Sequence, residues 1–252
     1  MNRKRRQSGA SQPMPAPVLR LLGCAVLLLA VPLAVAAALM VPAGISSYQA
    51  QAFVAHWQKS GEEPSPQAYD IAHGAAQRSV DLYPSANGLY LDQLGVVEQW
   101  KAFRHSFADP KAADSRRAAL ENFRLAVTAR PTWPSAWINL AWAKAYLMEF
   151  DDEFDHALQQ AAHLGPWRIG INRSLSELGF ISWGYLTPQQ RTLVLESAHR
   201  TVAHSPRQAT ELLKTATATG MSDALCESLP RKLAEDRRIC SGTIYQRTIK
   251  NG

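Results

Sequence analysis

A run of 25 residues without a charged side chain, from Leu21 to Ile45, constrains this chain more than any other feature of its sequence. An α-helix rises about 1.5 Å per residue, so about 20 such residues cross the ~30 Å hydrocarbon core of a bilayer. The run therefore predicts a transmembrane helix, and we place this membrane anchor at residues 18–45.

Basic residues precede the apolar run, and no comparable cluster follows it. Those among the first 20 residues are Arg3, Lys4, Arg5, Arg6 and Arg20. Positively charged flanks of a membrane span stay on the cytoplasmic side. We therefore expect residues 1–17 to be a cytoplasmic basic tail. In a bacterium this topology makes the protein a single-pass inner-membrane protein, with most of the chain in the periplasm.

A cleaved signal peptide is the alternative to a retained anchor. Leu21–Leu33 has the length of a signal-peptide core, Pro32 interrupts helical sequence, and residues 36–38 are small alanines that suit a cleavage site. The apolar sequence continues past this site through Val41, which favours a full span.

The net positive charge belongs mostly to the N-terminal region. The chain has 27 basic and 21 acidic residues, and residues 1–45 contain five basic and no acidic ones. The rest is nearly balanced, with 22 basic and 21 acidic residues, so the composition argues against a nucleic-acid-binding surface. About 200 residues remain beyond the anchor, which suffices for one domain with a sizeable core.

The three cysteines have different expected roles. Cys24 ends a segment that resembles a lipoprotein processing box, but Arg20 directly precedes that segment, so we expect Cys24 to be a small apolar residue of the span. Cys226 and Cys240 lie on the outer side, where an oxidising compartment favours a disulfide. In the chain-entropy model such a loop of about 15 residues contributes about 3 kcal/mol. The alternative is two separate thiols.

Helix start signals recur beyond the span, whereas strand signals are almost absent. Four capping residues each precede a proline: Ser65-Pro66, Asp109-Pro110, Thr187-Pro188 and Ser205-Pro206. Thr187 and Ser205 are also followed three residues later by glutamine, as in a capping box. These signals predict an all-α domain.

Two stretches share the residue spacing of the second helix of a tetratricopeptide repeat. They are Ala119, Phe123, Ala126, Pro131 and then Phe154, Leu158, Ala161, Pro166. The segment 136–141 between them resembles the first helix of that repeat, with Ala141 where glycine is usual. Leu94-Gly95 and Leu178-Gly179 mark two weaker first helices, because small residues permit close helix crossing.

The sequence thus predicts a tetratricopeptide-like stack of about three helix pairs at residues 65–236. A juxtamembrane helix and linker at 46–64 precede this stack, and a C-terminal tail at 237–252 follows it. The repeat register assigns Trp137 to the core and five side chains to a concave groove: Trp142, Tyr146, Arg173, Ser176 and Trp183. Aromatic rings beside hydrogen-bonding groups suit sugar rings or an apolar peptide anchor. The alternative is that a short array closes and buries them.

The search for catalytic and metal-binding patterns singles out no residues. The pairs His156/His163 and His199/His204 lack a third ligand of the kind that zinc requires. The acidic cluster Asp151, Asp152, Glu153 and Asp155 could hold a divalent cation, but its place at the start of a predicted helix, where negative charge meets the helix dipole, favours a structural role. We therefore predict no cofactor, no metal site and no enzymatic activity.

The chain as a whole resembles the VpsP-type polysaccharide biosynthesis proteins of Gram-negative bacteria. The resemblance rests on the single N-terminal span, the outer domain, the segment Trp137–Lys144 and the sequence Gly165-Pro166-Trp167. It implies an accessory role in making or exporting exopolysaccharide at the inner membrane, and it brings no catalytic residues.

Three functions are compatible with these features. The first is a scaffold that binds inner-membrane or periplasmic proteins of a polysaccharide assembly through the groove. The second is a glycan-binding module that uses the groove aromatics. The third, with the least support, is an enzyme acting on polysaccharide. The sequence favours the scaffold.

Overall fold

The computed structural model describes residues 15–240. Within this range the chain is helical and contains no β-strand, which confirms the all-α prediction. Most of the predicted basic tail and the end of the C-terminal tail lie outside the described residues. The helices are α1 (Ala16–Ser60), α2 (Pro66–Leu82), α3 (Gly88–Trp100), α4 (Ala113–Ala129), α5 (Pro134–Tyr146), α6 (Asp152–Leu164), α7 (Ile169–Ile181), α8 (Pro188–His204), α9 (Pro206–Ala218), α10 (Ser222–Ser228) and α11 (Arg231–Arg237).

The capping residues begin helical segments where the sequence predicts them. The Ser65 hydroxyl accepts a hydrogen bond from the Ala68 amide at the start of α2. Thr187 and Gln190 form a complete capping box at the start of α8. Asp109 caps a short 3₁₀ turn, Pro110–Ala112, that leads into α4. Each cap satisfies amides that the first helical turn leaves without partners.

Consecutive helices pack as hairpins. α1 pairs with α2, α3 with α4, α5 with α6, and α7 with α8. The odd-numbered helices also contact one another in order from α1 to α9. They therefore form a row, and residues of these helices make up most of the walls of the cavities described below.

Two glycines allow close crossings within these hairpins. A methyl group at Gly95 of α3 would lie 2.6 Å from the Phe123 ring of α4. A methyl group at Gly179 of α7 would overlap Val194 of α8. A larger side chain at either position would force the paired helices apart.

The first helix has two halves with opposite environments. Its N-terminal half, residues 16–42, is apolar and almost entirely exposed, and α1 is long and apolar enough to cross a membrane. The helix continues through Pro32, which does not break it. From Ala43 onward one face is buried against α2 and α3, through residues that include Ala50, Val54 and Trp57.

This packing corrects the predicted domain boundary. The prediction placed residues 46–64 outside the domain, as a juxtamembrane helix and linker. Instead residues 43–60 of α1 are the first helix of the packed domain, because their apolar side chains recur every three or four residues and bury one stripe. Only residues 61–65 connect α1 to α2.

The C-terminal end of the domain is closed by a disulfide. Cys226 in α10 and Cys240 beyond α11 are bonded, with their Cα atoms 5.5 Å apart. Near this bond α11 packs against α8, where Arg237 donates a hydrogen bond to the Val202 carbonyl in the last turn of α8. Cys24 is exposed in the apolar half of α1.

Candidate functional site

Three neighbouring cavities follow the row of odd-numbered helices. The α1 cavity, of about 240 Å³, lies between α1 and α3. The central cavity, of about 380 Å³, shares Gln58 with it. The α7 cavity, of about 660 Å³, shares with the central one the side chains of Asn139, Arg173, Ser174 and Glu177. Because neighbouring cavities share their walls, we treat the three as one groove.

Polar side chains of α1 and α3 line the first part of the groove. The Ser47 hydroxyl donates to Gln93 Oε1 at 2.7 Å, and Gln93 Nε2 donates to the Ser47 carbonyl at 2.7 Å. This reciprocal pair fixes the two helices at the point where α1 enters the domain. Gln51 and Leu89 complete the wall on either side.

Aromatic rings form the walls of the central cavity. Phe103 stacks on Trp100 with ring centroids 4.3 Å apart. Across the cavity, Trp142 lies beside Tyr146 at 5.6 Å, and its indole Nε1 donates to Ser174 Oγ at 2.7 Å. The cavity therefore offers ring faces and hydrogen-bonding groups together, as ligand sites commonly do.

Arg116 of α4 positions the loop that carries Phe103. This buried guanidinium donates to the Ser106 and His105 carbonyls, each at 2.7 Å, and lies over the Tyr146 ring, 4.9 Å from its centroid. Burial lowers its pKa, but an arginine so far from neutral pH stays charged. Arg116 thus attaches the 101–109 loop to the end of α5.

The α7 cavity is the more open and more charged end of the groove. Trp167 stands at its rim with 92% of its surface exposed. Arg173 lies 3.5 Å from Glu177, one helical turn further along α7. Burial raises the Glu177 pKa, and the charge of Arg173 opposes that shift.

Asp92 and Asn139 connect the three cavities. The Asp92 side chain lines the α1 cavity, whereas Asn139 lines the other two. Asn139 Nδ2 donates to Asp92 Oδ1 at 2.8 Å. Asp92 is only 8% exposed, and burial raises its pKa to about 6, although the hydrogen bond from Asn139 acts in the opposite direction. A buried carboxylate with a raised pKa beside a cavity is a typical sign of a functional site.

Three of the five predicted groove residues lie together in the groove. Trp142, Tyr146 and Arg173 all line the central cavity, and both aromatic rings are half-buried. The structure therefore brings these three side chains together at one cavity and leaves both rings partly exposed.

The structure places Ser176 and Trp183 elsewhere, which corrects those two assignments. Ser176 is fully buried and donates to the Asn172 carbonyl, because the groove stripe of α7 passes through Arg173, Ser174 and Glu177 instead. Trp183 follows the end of α7 in a 3₁₀ turn, so the helical register no longer applies to it.

The acidic cluster after α5 binds a buried lysine. Lys144 is 1% exposed, and its Nζ lies 2.8 Å from both Asp151 and Glu153. Arg124 approaches Glu153 from α4 through two hydrogen bonds of 2.8 and 2.6 Å. The bonds from Arg124 lower the Glu153 pKa to about 2. Asp151 also caps α6, in agreement with the predicted place of the cluster at a helix start.

The four histidines considered as zinc ligands do not converge among residues 15–240, where no group of three potential ligands occurs. His156 packs edge-on against the Trp137 ring, 5.1 Å away. His199 lies 3.1 Å from the Ser228 hydroxyl. Trp137 is only partly buried against the core, and its indole donates to the Pro131 carbonyl.

Sequence reasoning did not single out Asp92, Gln99, Asn139 or Phe103. The first three are polar residues whose role depends on which helices become neighbours. A usable signal was present only for the pair Asp92 and Gln93, since two polar residues interrupt an otherwise apolar stretch from Leu89 to Val97.

No protein-family model matches this chain, and no curated protein matches it either. Its function is therefore inferred from the groove, the apolar half of α1 and the disulfide.

Proposed function

We propose that this chain is a non-catalytic accessory protein of exopolysaccharide biosynthesis or export. In this proposal α1 holds it in the bacterial inner membrane, its N-terminus is cytoplasmic and its helical domain is periplasmic. The groove binds a protein partner of the polysaccharide assembly. The observation that carries the proposal is the continuous groove along α1, α3, α5 and α7.

The arrangement of helices supports a tetratricopeptide-like stack. Hairpins follow one another, the odd-numbered helices contact in order, and Gly95 and Gly179 lie at helix crossings as small residues of that repeat do. Ala141, at the corresponding place in α5, is fully buried. Together with the segments Trp137–Lys144 and Gly165-Pro166-Trp167, these features favour the VpsP-type resemblance.

The exposed half of α1 supports membrane anchoring. Residues 16–42 extend for about 40 Å at the usual helical rise, and nearly all of their described side chains are exposed. Such a surface is stable when lipid surrounds it. A cleaved signal sequence has the same length and composition, but here the apolar half continues without a break into the domain, which favours retention.

The location and orientation are supported by two further features. The Cys226–Cys240 disulfide is typical of an oxidising compartment. The basic residues before the span favour a cytoplasmic N-terminus. A phosphatase reporter fused after Gly252 should be active, because alkaline phosphatase folds only in the periplasm, whereas a fluorescent cytosolic reporter at the same place would overturn the topology.

The groove chemistry favours binding over catalysis. Most of its hydrogen-bonding side chains are amides and hydroxyls, such as Gln58, Gln99, Asn139 and Ser174. These groups hold a ligand but do not transfer protons at neutral pH. The charged groups also have protein partners: Arg116 binds backbone carbonyls, Arg173 pairs with Glu177, and Asp92 accepts a hydrogen bond from Asn139.

Glycan binding is a second candidate, and the central cavity supports it. The half-buried Trp142 ring there lies beside hydroxyl, amide and carboxylate groups. This candidate is compatible with the first, since one part of the groove can bind sugar while another binds a protein.

Photo-crosslinking in intact cells tests the scaffold proposal. A photoreactive amino acid replaces Phe103, Ser135 or Ser174 in the full chain, and crosslinked products are identified by mass spectrometry. The matched control is Leu125, an exposed residue of α4 outside the groove. We expect proteins of a polysaccharide assembly at the groove positions only. Equal products at Leu125, or no envelope protein at all, would overturn the scaffold.

A further inference from the structure

We propose that Asp92 and Asn139 form the centre of a glycan subsite, where hydroxyl groups of an uncharged sugar chain fill hydrogen-bonding positions that the protein leaves open. The inference rests on the proposed function, because it uses the same groove. It adds the chemical class of the ligand and the residue that recognises it.

The first argument is the small number of partners of Asp92. A buried carboxylate is costly unless several hydrogen bonds or a positive charge compensate for lost water. Within residues 15–240 the only hydrogen-bond donor to Asp92 is Asn139, which binds Oδ1. Oδ2 therefore receives no hydrogen bond from the described residues, although the side chain lines the α1 cavity and is 8% exposed.

The second argument is a matching open donor. The Nε2 atom of Gln99 is buried and has no hydrogen-bond acceptor among the described residues. Gln99 lines the central cavity together with Asn139. The groove thus leaves one acceptor and one donor unfilled. Asp92 and Gln99 lie seven residues apart on α3, which is about 10 Å at the usual helical rise. A hydroxyl group both donates and accepts, so hydroxyls on different rings of one sugar chain match the two groups without bringing a charge into the site.

The third argument is the exposed aromatic surface beside these polar groups. Phe103 is 40% exposed, Trp142 is half-buried, and Trp167 is 92% exposed at the far rim. All three line the central or the α7 cavity. The C–H faces of sugar rings pack on such rings while their hydroxyls point sideways to polar side chains.

Peptide ligands fit the part of the groove around Asp92 and Asn139 less well than a glycan does. Strand addition requires an open sheet edge, and a bound amphipathic helix requires an apolar stripe. Residues 15–240 contain no strand, and the groove walls alternate rings with amides. A cationic peptide that paired with Asp92 would also meet Arg168 and Arg173 in the α7 cavity.

Binding is tested with the full chain in lipid nanodiscs. The probes are hexasaccharides of glucose, galactose, mannose and N-acetylglucosamine, oligosaccharides from the host's own extracellular polysaccharide, and a lysine-rich decapeptide. Tryptophan emission and calorimetry give the dissociation constant. We expect saturable binding of at least one oligosaccharide, and Asp92→Asn should weaken it at least about tenfold, because hydrogen bonds to a charged group are the stronger kind.

Glu98→Gln is the matched control for Asp92→Asn. Glu98 lies on the same helix and is equally buried, but it binds Tyr69 at 2.7 Å and His73 at 2.9 Å away from the groove. We expect this variant to bind the oligosaccharide as the unaltered chain does. Thermal melts of both variants exclude loss of the fold as the cause of weaker binding.

Each other outcome overturns the inference in a distinct way. If Asp92→Asn leaves oligosaccharide binding unchanged, Asp92 is not the group that recognises the glycan. If the chain binds the lysine-rich peptide more tightly than the oligosaccharides, the ligand of this site is a cationic peptide and not a glycan. Failure of every oligosaccharide rejects the glycan class, while groove-specific crosslinks to an assembly protein would still uphold the scaffold.

Discussion

Two buried charges in this domain, Lys144 and Asp92, have opposite surroundings. Lys144 lies within 2.8 Å of Asp151 and Glu153 and 3.4 Å of Glu149. Asp92 has one neutral amide as its partner among residues 15–240. Both side chains are nearly inaccessible to water, so the difference lies in the number and charge of their partners.

The comparison distinguishes a charge that stabilises the fold from a charge that is available to bind a ligand. Burial alone would lower the Lys144 pKa, but the hydrogen bonds that its ammonium donates to Asp151 and Glu153 raise the pKa, so the charged form stabilises the native state. Burial raises the Asp92 pKa, and among residues 15–240 only the hydrogen bond from the neutral Asn139 amide opposes this shift. A charge with few partners lowers stability, and such a cost is typical of positions that serve a ligand.

The largest expected effect is at Lys144. Lys144→Met keeps the apolar stem but leaves three carboxylates facing one another, which should lower the free energy of unfolding by about 3 kcal/mol. Urea denaturation followed by circular dichroism in detergent measures it. Lys214→Met, which removes an exposed pair with Glu211, should change little. If both variants behaved alike, Lys144 would not be structural.

A smaller loss is expected at Glu153. Glu153→Gln weakens the two bonds from Arg124 and the bond from Lys144, so we expect a loss of about 1–2 kcal/mol. The same denaturation assay measures it. Glu121→Gln, which alters only the more exposed partner of Arg124, serves as the control. A larger loss at Glu121 than at Glu153 would contradict the proposed network.

We expect Asp92→Asn to raise the free energy of unfolding, whereas the two preceding substitutions lower it. The amide costs less to bury than the carboxylate and can still pair with Asn139, so the free energy of unfolding at pH 7.5 should rise by about 1 kcal/mol. A stabilised variant that binds oligosaccharide poorly would show that stability and recognition are opposed at this position. Destabilisation would instead make Asp92 a structural residue.

The last comparison concerns the slopes of stability with pH, which differ in sign between Asp92 and Glu153. The folded pKa of Asp92, about 6, exceeds its ordinary value of 3.8, so its stabilising contribution is complete below pH 3.8 and is lost as the pH rises through 6. The folded pKa of Glu153, about 2, is below its ordinary value of 4.5. Its contribution is therefore present above pH 4.5 and is lost as the pH falls towards 2.

Denaturation of the unaltered chain and of each variant across this range measures the two slopes. Relative to Asp92→Asn, the unaltered chain should lose stability between pH 4 and pH 7. Relative to Glu153→Gln, it should gain stability between pH 2 and pH 5. Slopes of the same sign would show that the two charges do not differ as described.

Local features of this fold were predictable from the sequence. Ser65, Asp109, Thr187 and Ser205 cap helical segments because a short side chain beside a proline acts within one turn. The Cys226–Cys240 bond was predictable for a similar reason, since it joins residues 14 positions apart. The first helix of the domain was missed because its apolar spacing, through Ala50, Val54 and Trp57, follows directly on an apolar span.

The groove was predictable only in part because it depends on distant contacts. Trp142, Tyr146 and Arg173, which the repeat register predicts on one face of α5 and α7, line the same cavity. The bond between Asp92 and Asn139 joins residues 47 positions apart, and no local pattern indicates such a pair. The burial of Lys144 was also not predictable from the sequence, since a lysine between two alanines is ordinarily a surface residue.

Because α1 is one unbroken helix, the direction in which the groove faces depends on the number of residues between the apolar half of α1 and the half that lines the groove. Gln51 and Gln58 belong to the groove wall, and the same helix extends back to Ala16 without a turn. Each residue inserted between Val41 and Ser47 would rotate the apolar half by about 100° relative to the groove and shift it by about 1.5 Å. Insertions of three or four residues bring the groove close to its original orientation relative to the apolar half. Insertions of two residues turn the groove to the opposite side.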